Sequence, residues 1–428
     1  MIRKPQYQVF ASFAVALFCA GISSSCNSAS PPNASPTLKS TGFVPSMPTP
    51  SHTLFPSLSP TPTSSPTSTP ITYNWENHGP WGGEITALAI DPGHPANLYA
   101  SAFSGLYRSM DSGNSWMESN AGLYEGGLHD VLAIDPITTS TLYAGTTDGI
   151  YKSTDSGENW HLASGFSLTY ISGIAINPFS SSEIYASTVF EGVYLSLNGG
   201  EQWYPKNNGL PDTLFEIYSM VMDPKSPDNL YIATSNFGVF KTFDGGNEWV
   251  SCNTGLPADA DVLALNIDPV TPSTLYAGID EKGLYKSKDN GDYWFPINNG
   301  LPISYSVRDI AIDPSAPNIV YATTPYGKYP GIYRSMDGGK LWQLISKIEF
   351  VEEIIIDPSH PSILYAATNR GVYKSVDKGV EWFFPQPVFP NTKFNPSPSI
   401  RPIQIPYMPT QPTWGFSAVR ITVNHGII

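Results

Sequence analysis

Short runs of alternating apolar and polar residues recur from about residue 85 to residue 382, each cut off by Pro, Gly or Asp. In the clearest unit, Val131-Leu-Ala-Ile ends at Asp135-Pro136, Thr141-Leu-Tyr143-Ala-Gly145 follows, and Gly149-Ile-Tyr151-Lys-Ser153 comes third. Alternation of this kind, bounded by turn residues, predicts half-buried strands. The third run leads into an octapeptide, Ser/Thr-x-Asp-x-Gly-x-x-Trp, that occurs seven times, at Ser109–Trp116, Ser153–Trp160, Ser196–Trp203, Thr242–Trp249, Ser287–Trp294, Ser335–Trp342 and Ser375–Trp382. Its tryptophans lie 40 to 48 residues apart, a period that marks a propeller or similar array. Three runs and a fourth beginning at the Trp make a four-stranded antiparallel meander. Such a sheet cannot bury both faces alone, so several must pack around an axis. The pattern therefore predicts an all-β chain, a seven-bladed β-propeller of four-stranded antiparallel blades.

Each octapeptide position has a structural task. The third residue (Asp111, Asp155, Asn198, Asp244, Asp289, Asp337, Asp377) can accept backbone N–H bonds, the Gly supplies a left-handed conformation, and Ser or Thr adds a local hydrogen bond. The Trp is expected to bury roughly 150–250 Å² between blades. These residues, with the neighbouring Ala-Ile-Asp-Pro and Leu-Tyr-Ala-Gly-Thr segments, resemble the Asp-box or bacterial neuraminidase repeat. The copies look like those of two-propeller xyloglucanases, sortilin-type receptors and photosystem II assembly factors. The resemblance covers about residues 75–384 and implies the fold; the same repeat serves enzymes, receptors and chaperone-like proteins.

The ends divide the chain. Arg3 and Lys4 precede an apolar stretch, and Ile22-Ser-Ser-Ser25-Cys26 resembles a bacterial lipobox with Cys26 as lipidation site, so residues 1–25 read as a lipoprotein-type signal peptide. Residues 26–72 form a Ser/Thr/Pro-rich disordered tether. The propeller spans 73–384, and 385–428 is a Pro-rich tail with one terminal strand, Ala418–Val423. Export to a bacterial cell envelope, with anchorage to the outer face of a membrane or secretion, is the expectation. Tyr73-Asn-Trp75 aligns with the strand that starts at each octapeptide Trp and is expected to close the ring on the last blade, in competition with Trp382. The chain is expected to be a monomer.

With 22 basic against 36 acidic residues and a net charge of −14, nucleic acid is a poor partner. Lys or Arg recurs just before the octapeptide (Arg108, Lys152, Lys241, Lys286, Arg334, Lys374), and these read as solvated strand faces. The scattered histidines and missing metal or nucleophile motifs point to no metal and no cofactor.

Function is expected where the repeats differ. The Asp-Pro turns and the octapeptide turns share one end of the ring, leaving the loops between blades and between the second and third strands at a variable end. Its candidate ligand-binding residues are Phe103, Tyr124, Tyr170, Phe190, Phe215, Phe237, Tyr305, Arg308, Tyr326 and Arg370. Aromatic faces beside polar groups suit a glycan, peptide or protein partner, which makes a noncatalytic surface-anchored binder or assembly scaffold the leading reading. The alternative implied by the resemblance is a xyloglucanase-like glycoside hydrolase with Asp148 and Asp280 as its paired carboxylates. A sialidase is weaker still, because the propeller offers no arginine cluster and lacks the Arg-Ile-Pro segment.

Overall fold

The computed structural model describes residues 84–124, 129–163, 170–211, 216–302, 306–327 and 329–383, with only the backbone of residues 129 and 130. The expected signal peptide and tether, Cys26, Trp75, Phe215, Tyr305 and the expected tail lie outside these residues. Seven antiparallel sheets follow one another along the chain, each a meander from one contiguous stretch. Their inner strands are Ile85–Ile90, His129–Ile134, Ile171–Ile176, Ile217–Met222, Val262–Ile267, Asp309–Ile312 and Val351–Ile356. The chain is a seven-bladed β-propeller. Six sheets have four strands; in blade seven the outermost place is taken by Phe383, which exchanges backbone hydrogen bonds of 3.0 and 2.7 Å with Lys374. Blade seven thus uses the Trp382 side of its own octapeptide as its outer edge.

Apolar faces of successive blades interdigitate. Leu98, Ala100 and Tyr107 of blade one pack against Tyr365, Ala367 and Val372 of blade seven, so ring closure is face to face like every other junction. At the constant end, each octapeptide turn donates a backbone N–H to the first turn of its own blade, as from Ser112 to Ala96 and from Lys378 to Ser362. Within the turn, Ser109 Oγ donates to Asp111 Oδ1 at 2.8 Å and accepts from Gly113 N, while Asp111 accepts from Ser115 N. The pattern holds in the other six copies, Asn198 included. Donors from Asn159, side chain and backbone, hold the Asp155 carboxyl down at about 2. The fifth-position glycines all have positive φ, and so do the fourth residues, among them Ser112 and Lys378.

That left-handed fourth residue explains a correction. The pre-octapeptide cations are not solvated strand faces: Lys241 and Lys286 are buried, and the set reaches across to the next blade. Lys152 Nζ donates to Gly199 O at 2.8 Å, Lys286 to Gly338 O at 2.9 Å, Arg334 to Lys378 O at 2.7 Å and Lys374 to Ser112 O at 2.7 Å. The second-strand tyrosines grip the same carbonyls, as Tyr143 OH does at 3.1 Å and Tyr365 OH at 3.1 Å. Consecutive left-handed residues turn that carbonyl out of the local ladder, and the neighbouring blade supplies its donors.

A second junction device sits in four of the loops that the sequence reading treated as variable. Asn120, Asn207, Asn253 and Asn298 each begin an Asn-x-Gly-Leu turn closed by a Leu N–H to Asn O bond of 3.0–3.1 Å, with Gly at φ 87–92°, a type II geometry. The Asn Oδ1 accepts from the third strand of its own blade at 2.7 Å. The carbonyl between Asn and Gly accepts the backbone N–H of the next blade's octapeptide Trp at 2.7–2.9 Å. Those four tryptophans, Trp160, Trp249, Trp294 and Trp342, are buried as expected. Trp116, Trp203 and Trp382 are only partly buried, and the last two turn their indole N–H onto their own turns.

Candidate functional site

The candidate residues that fall among the described ones do gather at one end. Val189 N bonds Tyr170 O, Ser235 N bonds Glu216 O, Asp280 N bonds Asp261 O and Phe350 N bonds Pro325 O, joining the two kinds of variable loop blade by blade. Phe103, Tyr124, Phe190, Phe237 and Tyr326 expose their rings there, and Arg308 and Arg370 are exposed beside them.

The inner strands organise this end. Register shifts place a bulged residue near the start of the inner strand in six blades, at Thr86, 130, Ser172, Tyr218, Leu263 and Glu352. In blade six Arg308 holds the corresponding place, its N–H bonding Thr323 O at 3.0 Å. A bulge re-aims its side chain, and the residue at this place is not repeated from blade to blade: Thr86, Ser172, Tyr218, Leu263, Arg308 and Glu352 differ in type.

Three of the mouth residues meet. Arg308 Nε donates to Glu352 Oε2 at 3.2 Å and Tyr326 OH donates to Glu352 Oε1 at 3.1 Å. Phe350, at φ 57°, stands edge-on to Tyr326 with ring centroids 5.6 Å apart. Glu352 is 14% exposed and Arg308 48% exposed, so the carboxylate is the buried anchor and the guanidinium the presented group. Burial, then the Glu352 charge, push the Tyr326 phenol up to about 12. The same two causes raise Glu84 from blade one. Tyr218 donates to Glu216 at 2.6 Å; its phenol is raised by burial first and by the bonded Glu216, and Arg308 opposes the rise. The mouth is acidic, with Arg308 set among carboxylates from blades one, four, five and seven.

One residue further along, Asp309 Oδ2 accepts Ile354 N at 2.8 Å from blade seven, and Glu353 Oε2 accepts Leu88 N at 2.6 Å from blade one. These carboxyls latch three inner strands in sequence. Burial raises both groups, and the Asp309 charge raises Glu353 further.

Asp148 and Asp280 stand on blades two and five, and each is tied locally. Asp148 accepts from Thr146 Oγ1 at 2.5 Å and from Tyr151 OH at 3.1 Å, and Asp280 accepts from Ser306 Oγ. No hydrogen bond or ion pair joins them among the described residues. Sequence reasoning passed over Glu352, Tyr218 and Glu353; the signal for the two glutamates was a pair of acids in the otherwise apolar inner run Val351-Glu-Glu-Ile-Ile-Ile.

This geometry has relatives among solved structures. The chain is similar to a GH74 xyloglucanase from Xanthomonas campestris (TM-score 0.63, 18% identity, covering 73% of this chain and 56% of that one). It also resembles the extracellular domain of the putative one component system BT4673 from B. thetaiotaomicron (TM-score 0.55, 16% identity, 71% and 39% covered). YCF48 bound to D1 peptide gives a TM-score of 0.55 at 16% identity, with 70% of this chain and 96% of that one covered. They share the fold. The chain spans about half the length of the xyloglucanase. No protein-family model and no curated protein matches the sequence.

Proposed function

We propose that this chain is a noncatalytic Asp-box propeller, held at the cell surface by lipid on Cys26 and the Ser/Thr/Pro-rich tether, that binds a glycan, peptide or protein at its variable end. The observation that supports this reading is the Arg308–Glu352–Tyr326–Phe350 cluster. Glu352 uses both oxygens to fix Arg308 and Tyr326, so the guanidinium's terminal amino groups and two aromatic rings are preorganised for a ligand rather than for proton transfer. A propeller that is bound to a peptide, YCF48, has this fold over nearly its whole length.

A second reading is favoured by the xyloglucanase likeness: glycoside hydrolysis by Asp148 and Asp280. The two separate in one experiment, in which the purified full chain is screened against plant and bacterial polysaccharides and envelope proteins for retention and for reducing-end release. Binding predicts retention without release, weakened at least about tenfold by Arg308→Ala. Release abolished by Asp148→Asn or Asp280→Asn would overturn the binding reading.

A further inference from the structure

Along the flank of the ring, between the outer strand of blade six and blade seven, lies a cleft of about 410 Å³ whose walls include Ser346, Lys347, Glu349, Arg370, Tyr373 and Trp382. Its origin is the junction device described above. Ser346 holds the place, four residues after the octapeptide Trp, that Asn298 holds after Trp294. The chain then runs Lys347-Ile-Glu349-Phe350 into the next inner strand, with no Gly and no room for the turn. Elsewhere the inserted turn offers a carbonyl to the next Trp N–H: Ala121, Asn208, Thr254 and Asn299 do so. Trp382 N–H meets no such carbonyl among the described residues, and its indole is only partly covered.

We propose that this cleft is a peptide-binding site, in which a partner's backbone turn takes the place left by the missing Asn-x-Gly-Leu segment. The proposal narrows the binding reading above to a peptide ligand and adds a site separate from Arg308. The cleft supplies what such a segment needs: a backbone donor at Trp382, an aromatic wall from Trp382 and Tyr373, and exposed Lys347 and Arg370 at the rim. Two cations against Glu349, in a chain of net charge −14, select an acidic flank on the peptide. The four inserted turns show what fits beside an octapeptide Trp: a carbonyl acceptor, then a left-handed Gly, then a Leu that packs on the blade core, as Leu256 and Leu301 do.

The probe is a fluorescein-labelled acetyl-Ile-Asn-Asn-Gly-Leu-Pro-Glu-Asp-amide, titrated with the full chain by fluorescence anisotropy. Saturable binding is expected, at least about tenfold weaker in Lys347→Glu and lost when Ser346-Lys-Ile-Glu349 is replaced by Asn-Asn-Gly-Leu. Lys347 and Glu349 are exposed, while Ser346 ends the outer strand and Ile348 packs on the core, so unchanged tryptophan emission and an unchanged urea midpoint check that the fold is kept. No saturable binding, or equal binding by wild type and both variants, overturns the cleft. Binding that is lost in Arg308→Ala but kept in the cleft variants also overturns it while leaving the variable-end reading standing. Cleft-dependent binding beside a variable end that retains nothing would sustain this site and remove the other.

Discussion

Replacing Gly255 by Ala tests whether the inserted turns hold the blades together. Gly255 sits at φ +92°, and a Cβ there would lie 2.0 Å from the Trp294 carbonyl oxygen and 3.1 Å from its carbon. The obstacle is backbone, so no rotamer relieves it; chain segments from two blades must separate by roughly 1 Å or more to reach ordinary contact. Forcing a residue with a Cβ into the left-handed region costs about 1–2 kcal/mol. The displacement also breaks the 2.8 Å bond from Trp294 N to Thr254 O at a fully buried Trp, and leaving buried polar groups unmatched costs about 1–3 kcal/mol. Together these give about 2–5 kcal/mol. Urea denaturation followed by tryptophan fluorescence measures it as a lowered midpoint at unchanged m. Gly93→Ala is the control, since its Cβ would meet nothing closer than 3.4 Å and its φ is not positive; its effect should stay within about 0.5 kcal/mol. If Gly255→Ala costs no more than Gly93→Ala, the turn does not join the blades and the account of the cleft loses its foundation.

Further outcomes are expected elsewhere. Glu353 and Asp309 have raised folded-state pKa values, so the fold holds protons that the unfolded chain releases: the penalty is absent below the ordinary carboxylate range, grows from there up to the folded values and levels off above them. Glu353→Gln should therefore match wild type near pH 4 and exceed it in stability near pH 8; parallel stability–pH curves would sink the idea. Lys374→Met and Lys152→Met each remove one cross-blade bond and should cost about the same, on the order of 1–2 kcal/mol, as read by midpoint shifts. Cys252 is buried, with its thiol pushed up to about 12 by burial. It should ignore Ellman's reagent in the native protein and react after denaturation; fast native labelling would contradict the packing between blades four and five.

Much of the fold was legible because the repeat states it seven times: turn chemistry at Asp111 or Gly113 is local, and local chemistry reads directly from sequence. What lay between blades did not. Lys152 and Lys286 looked like the polar side of a strand, since alternation shows which face a residue takes but not that a neighbouring blade covers that face. Asn253-Thr-Gly-Leu256 looked like one loop among several of differing length, although its own recurrence at Asn120, Asn207 and Asn298 carried the signal. At the mouth, Arg308 and Tyr326 were visible as polar and aromatic exceptions. Glu352 was hidden by a bulge, a matter of register that no single strand's pattern reveals.

The grip of Tyr365 and Lys374 on Ser112 O fastens blades seven and one with the clamp also used between blades two and three, where Tyr143 and Lys152 hold Gly199 O. Since each described sheet is one unbroken stretch of chain, no strand among the described residues is shared across a boundary. The order in which blades are linked is then independent of how they are fastened. A chain cut in one of the inter-blade loops and rejoined elsewhere would keep every sheet and every clamp. Opening the ring between blades seven and one would have to undo the same clamp, whereas a junction such as that of blades four and five carries the Asn253 turn as well.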